Sequence, residues 1–392
     1  MSVSTTSASP SSGPCRPLPY GRQEIDEDDI AEVVAVLRSD WLTTGPKVEE
    51  FERVFARFTG AEHAVAVANG TAALHCAMAA LGIGPGDEVI VPAITFVATA
   101  NSVVFQGGTP VFADVDPATL LLDPADAERR ITPRTKAIAA VDYAGQPCDY
   151  EALRAIAHRH GLALVADACH ALGGSADGRP VGSLADLSTF SLHPVKPITS
   201  GEGGVVTTND KALADRLRLF RSHGIATDFR QREKQSTWSY EMVELGYNYR
   251  LSDLQCALAL SQLRKLPQWI LRRQEIAGLY DAAFVGATAF QSLTTRPDVS
   301  HGYHLYVIRL AEGQDRGAAF RALRQAGFGV NVHYAPVHLH PFYRQRFGTG
   351  SGLCPLAEAA SEQILSLPIF PAMTDADVHS VIQAVFSILP NP

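Results

Sequence analysis

Long apolar runs are missing from this 392-residue chain, and nothing approaches the roughly 20 consecutive residues that a membrane-spanning helix needs. Positive charge is scattered. The 33 Lys and Arg are outnumbered by 41 Asp and Glu, and no basic cluster of any length occurs. Nucleic acid and anionic membrane surfaces are therefore not expected as main partners, while a local pocket for a phosphate stays open. Cysteine is sparse as well. The six residues (Cys15, Cys76, Cys148, Cys169, Cys256, Cys354) form no CxxC pair, so neither a zinc site nor a disulfide framework is expected. Reduced thiols and a cytoplasmic location are the default. Met1 to Pro17 has neither the basic nor the apolar region of a signal peptide. Rich in Ser, Thr, Pro and Gly, it reads as a disordered lead-in, taken here as residues 1–19.

What is present centres on Ser191-Leu-His-Pro-Val-Lys196-Pro-Ile-Thr-Ser-Gly-Glu-Gly-Gly204. One lysine sits between a strand-like run, Leu187 to Leu192, and a glycine-rich turn. Prolines 194 and 197 keep it out of a helix interior. Upstream, the apolar run Leu162 to Ala166 ends in Asp167, followed by Ala-Cys-His170-Ala-Leu-Gly-Gly174. A parallel strand there would deliver a carboxylate to the carboxyl edge of a sheet, where open α/β sheets bind ligands. A lysine able to form a Schiff base, with a carboxylate for a pyridinium nitrogen, is the minimum kit for pyridoxal 5'-phosphate (PLP) chemistry.

The rest of the chain supports that architecture. His63 to Ala68 reads as a strand, Asn69-Gly70-Thr71 as a turn and Ala72 to Leu81 as a buried helix. That order aims free N–H groups at an anion. Gly70, Thr71 and Ala72 are the candidate phosphate cup. Strands at Glu88 to Pro92, Thr109 to Val115 and Ala137 to Val141 alternate with helical stretches. The pattern predicts an α/β fold with a mainly parallel sheet covered on both faces. Further helices are expected from Ile25 to Leu37 (capped by Asp26, with an apolar stripe of Ile30, Val33, Val34 and Leu37) and from Thr95 to Phe105 (capped by Thr95). Two more are expected, from Asp149 to a stop at Gly161 and from Asp210 to Arg221. Residues 225–241 read as a loop, and a helix from Leu251 is expected to break at Pro267. A large unit over 20–266 and a smaller one over 267–392 follow. The smaller unit has expected strands at His304 to Leu310 and Phe328 to Tyr334, with helices at Gln314 to Ala326, Ala357 to Leu365 and Asp375 to Ile388. Its His333, His338 and His340 lack metal-ligand spacing, and no metal is expected.

The Asp167 and Lys196 boxes resemble those of the DegT/DnrJ/EryC1/StrS nucleotide-sugar aminotransferases, from about Tyr20 onward. Within that group the resemblance is to the pseudaminic-acid type. The resemblance implies the fold type I PLP-transferase architecture, with a seven-stranded sheet and a small C-terminal α/β domain. It implies that Lys196 carries PLP and acts as base, that Asp167 faces the ring nitrogen and that His170 lies near the phenolic oxygen, a buried core histidine being the alternative. Ser191 would give the phosphate a hydroxyl, and Phe96 would stack on the ring. Asn248 and Arg250 would reach the phosphate of a partner in a homodimer. Tyr20, Thr43, Thr44, His193, His333 and Tyr334 would line the substrate side. Glutamate is the implied donor. A UDP-4-keto-6-deoxy-N-acetylhexosamine of L-arabino configuration is the implied acceptor, with other nucleotide keto-sugars as alternatives. A nicotinamide enzyme would need GxGxxG after the first strand, and Asn69-Gly-Thr-Ala is not that. A non-catalytic regulator would not need the complete lysine and aspartate pair.

Overall fold

Six largely apolar strands of five to seven residues run in one direction, so their carboxyl ends lie along one edge of a sheet. The structure is a computed structural model and describes residues 17–227, 232 and 236–390. The lead-in lies outside it as far as residue 16. Pro17 to Pro19, counted with that lead-in, are instead ordered. Leu18 is buried and exchanges backbone bonds with Gly327 and Gly329.

The chain opens with α1 (Glu27–Leu37) and α2 (Pro46–Phe58). Next come β1 (His63–Val67), α3 (Gly70–Ala80), β2 (Glu88–Pro92), α4 (Val97–Phe105) and β3 (Thr109–Ala113). After α5 (Pro124–Arg129) follow β4 (Thr135–Val141), α6 (Tyr150–His160), β5 (Ala163–Asp167) and the short β6 (Ser175–Ala176) and β7 (Arg179–Pro180). β8 (Leu187–Ser191), β9 (Gly204–Thr208) and α7 (Lys211–Arg221) complete this part. Strand order in the seven-stranded sheet is β1-β9-β8-β5-β4-β2-β3. Only β9 runs against the rest. The mainly parallel sheet expected from the alternation is therefore present, buried by helices as such sheets require.

α1 has the expected capping box, with Asp26 and Asp29 each accepting the other's backbone N–H at 3.1 Å. Its expected apolar stripe is not the buried face: Ile30 and Leu37 are exposed, while Asp29 and Val36 are buried. The reason is polar. Asp29 accepts from Gln262 at 2.7 Å and pairs with Lys265 at 2.8 Å, which turns that side of the helix inward. α6 starts at its Asp149 cap and ends at Gly161 in the left-handed region, as expected. α4 does not start on Thr95. Phe96 holds the cap position, and the Thr95 hydroxyl lies 2.7 Å from the Thr99 hydroxyl instead.

The helix expected to break at Pro267 is one element, α8 (Asp253–Phe284), which runs through that proline. A proline there removes one helical hydrogen bond. Packing offsets the loss: α8 lies along α1 and α2, and its buried residues belong to the main core up to Ile270 and to a second core from Ile276. Beyond it come β10 (Phe290–Ser292), β11 (Val299–Ser300), β12 (Tyr306–Leu310), α9 (Arg316–Gln325), α10 (Pro341–Phe347), α11 (Pro355–Ser361), β13 (Ile364–Leu367) and α12 (Asp375–Ile388). β10-β12-β13 form a small antiparallel sheet. The strand expected at 328–334 is reduced to isolated bridges, and the third strand is β13, whose first residues had been counted into a helix. The apolar run Ile364-Leu365 simply continues the helix pattern of Ala357 to Ala360, and periodicity cannot separate the two. Residues 228–231 and 233–235 of the expected 225–241 loop lie outside the described residues.

Candidate active site

β9 is antiparallel, so its first residue lies at the same edge as the last residues of β1 and β8. The register pairs Gly204 with both Val67 and Ser191. The turn that follows β1 thereby meets the loop that carries Lys196. This contact is tight: a Cβ on Gly204 would sit 2.3 Å from the Asn69 carbonyl oxygen, and one on Gly70 would sit 2.9 Å from Ser191 Cβ. Only glycine fits at either place.

α3 begins at Gly70, with Asn69 as its cap. Asn69 Oδ1 accepts the Ala72 N–H at 2.8 Å, which differs from the expectation that Ala72 is a free donor. The N–H groups of Gly70 and Thr71, at the first two helical positions, have no partner inside the helix. Thr71 is exposed, and Ser191 stands beside them. Two helix-end donors with two hydroxyls suit a phosphate.

Lys196 is half-buried in a turn closed by its own N–H to the His193 carbonyl at 2.8 Å. Burial pushes its amine below the ordinary lysine pKa, against the opposing influence of Cys169 and Asp167. Asp167 ends β5 in the register neighbouring Val141 and is buried. Its Oδ2 accepts a 2.6 Å hydrogen bond from Thr99, and its Oδ1 has a long 3.3 Å contact with the Cys169 N–H. One oxygen is thus firmly engaged and the other is left with capacity.

His170 is buried, and burial followed by the Lys196 charge drives its pKa well below the usual histidine range. Its Nε2 lies 3.1 Å from Tyr334 Oη, while its Nδ1 is buried with no partner among the described residues. The same holds for Nδ1 of His304, whose ring lies 4.5 Å from that of His170 with the two planes tilted by 51°. Tyr334 also approaches Phe96, at 6.0 Å between ring centres. Phe96 is 56% exposed, which gives it a face for something flat. His333 bonds Ser366 at 2.8 Å, is contacted by Tyr20 at 5.3 Å between rings, and has a pKa lowered to about 4 by burial.

The expected residues fall into groups. Lys196, Asp167, His170, Ser191, Gly70, Thr71, Phe96, Tyr334, His333 and Tyr20 gather at one edge, with His193 exposed on the Lys196 turn. Thr43, next to Thr44, is bridged to Ser252 at the start of α8. Asn248 and Arg250 belong to a strip beside β1, fixed by bridges to Ser222 and Val67. Sequence reasoning missed Thr95, Thr99 and His304. The available signal for Thr99 was its place three residues after Phe96, on the same helical face.

These residues fit PLP: a phosphate cradle that a Cβ would fill, a lysine with lowered basicity, a carboxylate with one oxygen in reserve and an unpartnered buried imidazole nitrogen. Comparison with known proteins agrees. Residues 23–386 match the model of the DegT/DnrJ/EryC1/StrS aminotransferase family. The chain is 43% identical to the spore coat polysaccharide biosynthesis protein SpsC of Bacillus subtilis, over 95% of this chain and 97% of that protein. Among solved structures it resembles the putative sugar aminotransferase Spr1654 of Streptococcus pneumoniae in its PMP form, with TM-score 0.90 and 32% identity over 95% of this chain and 98% of the other. The PLP form gives 0.89. Helicobacter pylori PseC, an aminotransferase involved in the biosynthesis of pseudoaminic acid, matches with TM-score 0.89 and 33% identity over 95% of this chain and 99% of its own.

Proposed function

The chain belongs to the DegT/DnrJ/EryC1/StrS aminotransferase family, whose members are PLP-dependent sugar aminotransferases, and from that premise we propose the roles of its own residues and its substrates. When bound, PLP supplies a carbonyl that carries the amino group and a ring that draws electrons from the reacting carbon. Lys196 is the attachment point. Its amine, more often neutral than an ordinary lysine because of burial, removes the α-proton of the amino donor and returns a proton at the acceptor carbon. Asp167 would hold the proton of the ring nitrogen. The Gly70 and Thr71 N–H groups and the Thr71 and Ser191 hydroxyls would bind the phosphate, with Ala72 behind them. Phe96 would cover one ring face, and His170, oriented by Tyr334, would serve the ring's oxygen.

The donor is L-glutamate. The acceptor is UDP-2-acetamido-2,6-dideoxy-β-L-arabino-hexos-4-ulose, aminated at C4, with Tyr20, His193, His333 and Tyr334 on the sugar side and Thr43 and Thr44 at its rim. A homodimer supplies Asn248 and Arg250 across the interface. Five apolar side chains between Trp238 and Leu245 are exposed beside that strip, as an interface would require. The buried free thiols Cys76, Cys148, Cys256 and Cys354 fit a reducing compartment, the cytoplasm. No helix among the described residues is long and apolar enough to cross a membrane.

The observation that carries this reading is the meeting of Lys196, Asp167 and the Gly70 cradle at one sheet edge. The likeness to PseC supports the L-arabino acceptor. The second reading is another nucleotide-linked keto-sugar, such as the D-xylo epimer; the 43% identity to a spore coat polysaccharide biosynthesis protein supports a sugar substrate without naming pseudaminic acid. The test supplies PLP, glutamate and each of the two epimeric UDP-4-keto sugars, with products followed by mass spectrometry and NMR. Amination of the L-arabino ketone alone is expected. Amination of only the D-xylo epimer would move the enzyme to the second reading.

A further inference from the structure

Three hydroxyl side chains on or just before α4 face inward: Thr99 and Ser102 are fully buried and Thr95, just before the helix, is nearly so. Asn101, the other polar residue of the helix, is half-buried and accepts from the Tyr343 hydroxyl. A hydroxyl in an apolar helix costs stability unless it is bonded. Ser102 bonds the Thr99 carbonyl at 2.8 Å, an ordinary intrahelical arrangement. The two threonines do something else. Thr99 Oγ1 lies 2.6 Å from Asp167 Oδ2 and 2.7 Å from Thr95 Oγ1, with a weaker alternative at 3.3 Å to the Phe96 carbonyl.

Proton counting sets the direction of this chain. An ionised carboxylate only accepts, so Thr99 must donate its single proton to Asp167. The Thr95–Thr99 contact then needs Thr95 as donor. We propose that Thr95 and Thr99 form a directed hydroxyl relay that fixes the Asp167 carboxylate and holds its negative charge, so that the proton shared with the cofactor's ring nitrogen stays on the ring. Thr99 is thus a positioning residue, acting through Asp167. This inference rests on the reading of Asp167 as the ring-nitrogen partner.

The relay explains why Thr95 is not a helix cap. It also couples two parts of the site, because Phe96, offered to the ring face, lies between the two threonines. Bonding to the ionised form stabilises that form, and charge-assisted bonds are the stronger kind. Without Thr99, charge on Asp167 Oδ2 would be unsupported, and the shared proton would move from ring nitrogen toward the carboxylate. The other groups that interact electrostatically with Asp167 are Lys196, Cys169, Tyr334, Tyr150 and Asp142. From α4, Thr99 reaches its Oδ2 with a hydrogen bond.

The test compares Thr99→Val, Thr99→Ser, Thr95→Val and Asp167→Asn with the parent, all as PLP-loaded protein. Two readouts are taken: the nitrogen-15 chemical shift of labelled PLP, which reports ring protonation, and the kcat and KM of each half-reaction. Thr99→Val, nearly isosteric, is expected to move the nitrogen-15 shift toward the unprotonated value. It should lower kcat about 10- to 100-fold with KM nearly unchanged. Thr99→Ser should restore both, and Thr95→Val should give the same signs at roughly a third of the logarithmic effect. A parent-like nitrogen-15 shift in Thr99→Val overturns the relay. If that variant does not fold, a parent-like shift in Thr95→Val does so. Asp167→Asn separates the two claims. It should shift the nitrogen-15 signal at least as far as Thr99→Val, and a signal that stays put would overturn the Asp167 reading itself.

Discussion

Around Asp167 the side chains are engaged by their own chain, whereas from Trp238 to Leu245 they stand in solvent. Asp167 has Thr99, His170 has Tyr334, and His333 has Ser366. In the other region Trp238 is 89% and Leu245 73% exposed, with Tyr240, Met242 and Val243 exposed between them. The first arrangement finds its hydrogen-bond partners within one chain. The second offers apolar surface of the kind that interfaces use. It leads directly into Asn248, bridged to Ser222, and Arg250, bridged to Val67 at the end of β1, the strand that leads into the Gly70 turn. The two regions therefore meet beside the Gly70 turn.

The sharpest way to break this contrast is Lys196→Ala. It should cut transamination about a thousand-fold or more, because both proton transfers lose their base, while sedimentation shows an unchanged dimer. Met242→Glu with Leu245→Glu should do the reverse. Placing charges in an apolar interface should raise the dimer dissociation constant about a hundred-fold or more, read by analytical ultracentrifugation. Activity should fall with dimer concentration rather than through the chemistry of Lys196.

The smallest effect tests the packing beneath the strip. His75, on α3, is ringed by Phe105, Phe220, Tyr247 and Tyr249 and bonds the Tyr249 hydroxyl at 3.1 Å. Burial lowers its pKa to about 4. The unfolded chain takes up this proton near pH 6.5, before the folded chain does. Stability from the neutral ring is therefore full above about 6.5 and is lost as the pH falls toward 4. The melting temperature should drop over that window, and His75→Phe should remove about 1–2 °C of the drop. An unchanged slope would mean that this aromatic cluster is already open to water.

Much of the region around Asp167 was legible in the chain itself. Lys196 stood out because prolines and glycines force it from regular structure, and Asp167 because it ends an apolar strand. The Gly70 turn followed from strand, glycine and helix in that order. What was not legible depended on partners distant in sequence. The buried face of α1 is set by Lys265 and Gln262, more than two hundred residues away. Thr99 looks like any helical threonine until β5 brings Asp167 against it. β13 was hidden because its apolar residues continue a helical pattern, and α8 passes Pro267 because two cores hold it. Asn248 and Arg250 were named only through resemblance, since their proposed target lies on another chain.

The claim that the site is completed by a second copy can be tested by mixing two inactive variants. Lys196→Ala lacks the base but keeps the strip, and Asn248→Ala with Arg250→Ala keeps the base but lacks the strip. After dissociation and random reassembly, half of the dimers are hybrids, and each hybrid holds one intact site. Activity should return to about a quarter of the wild-type value. Hybrid dimers that form, as shown by mass spectrometry of differently tagged chains, yet stay inactive would contradict a site shared between two chains.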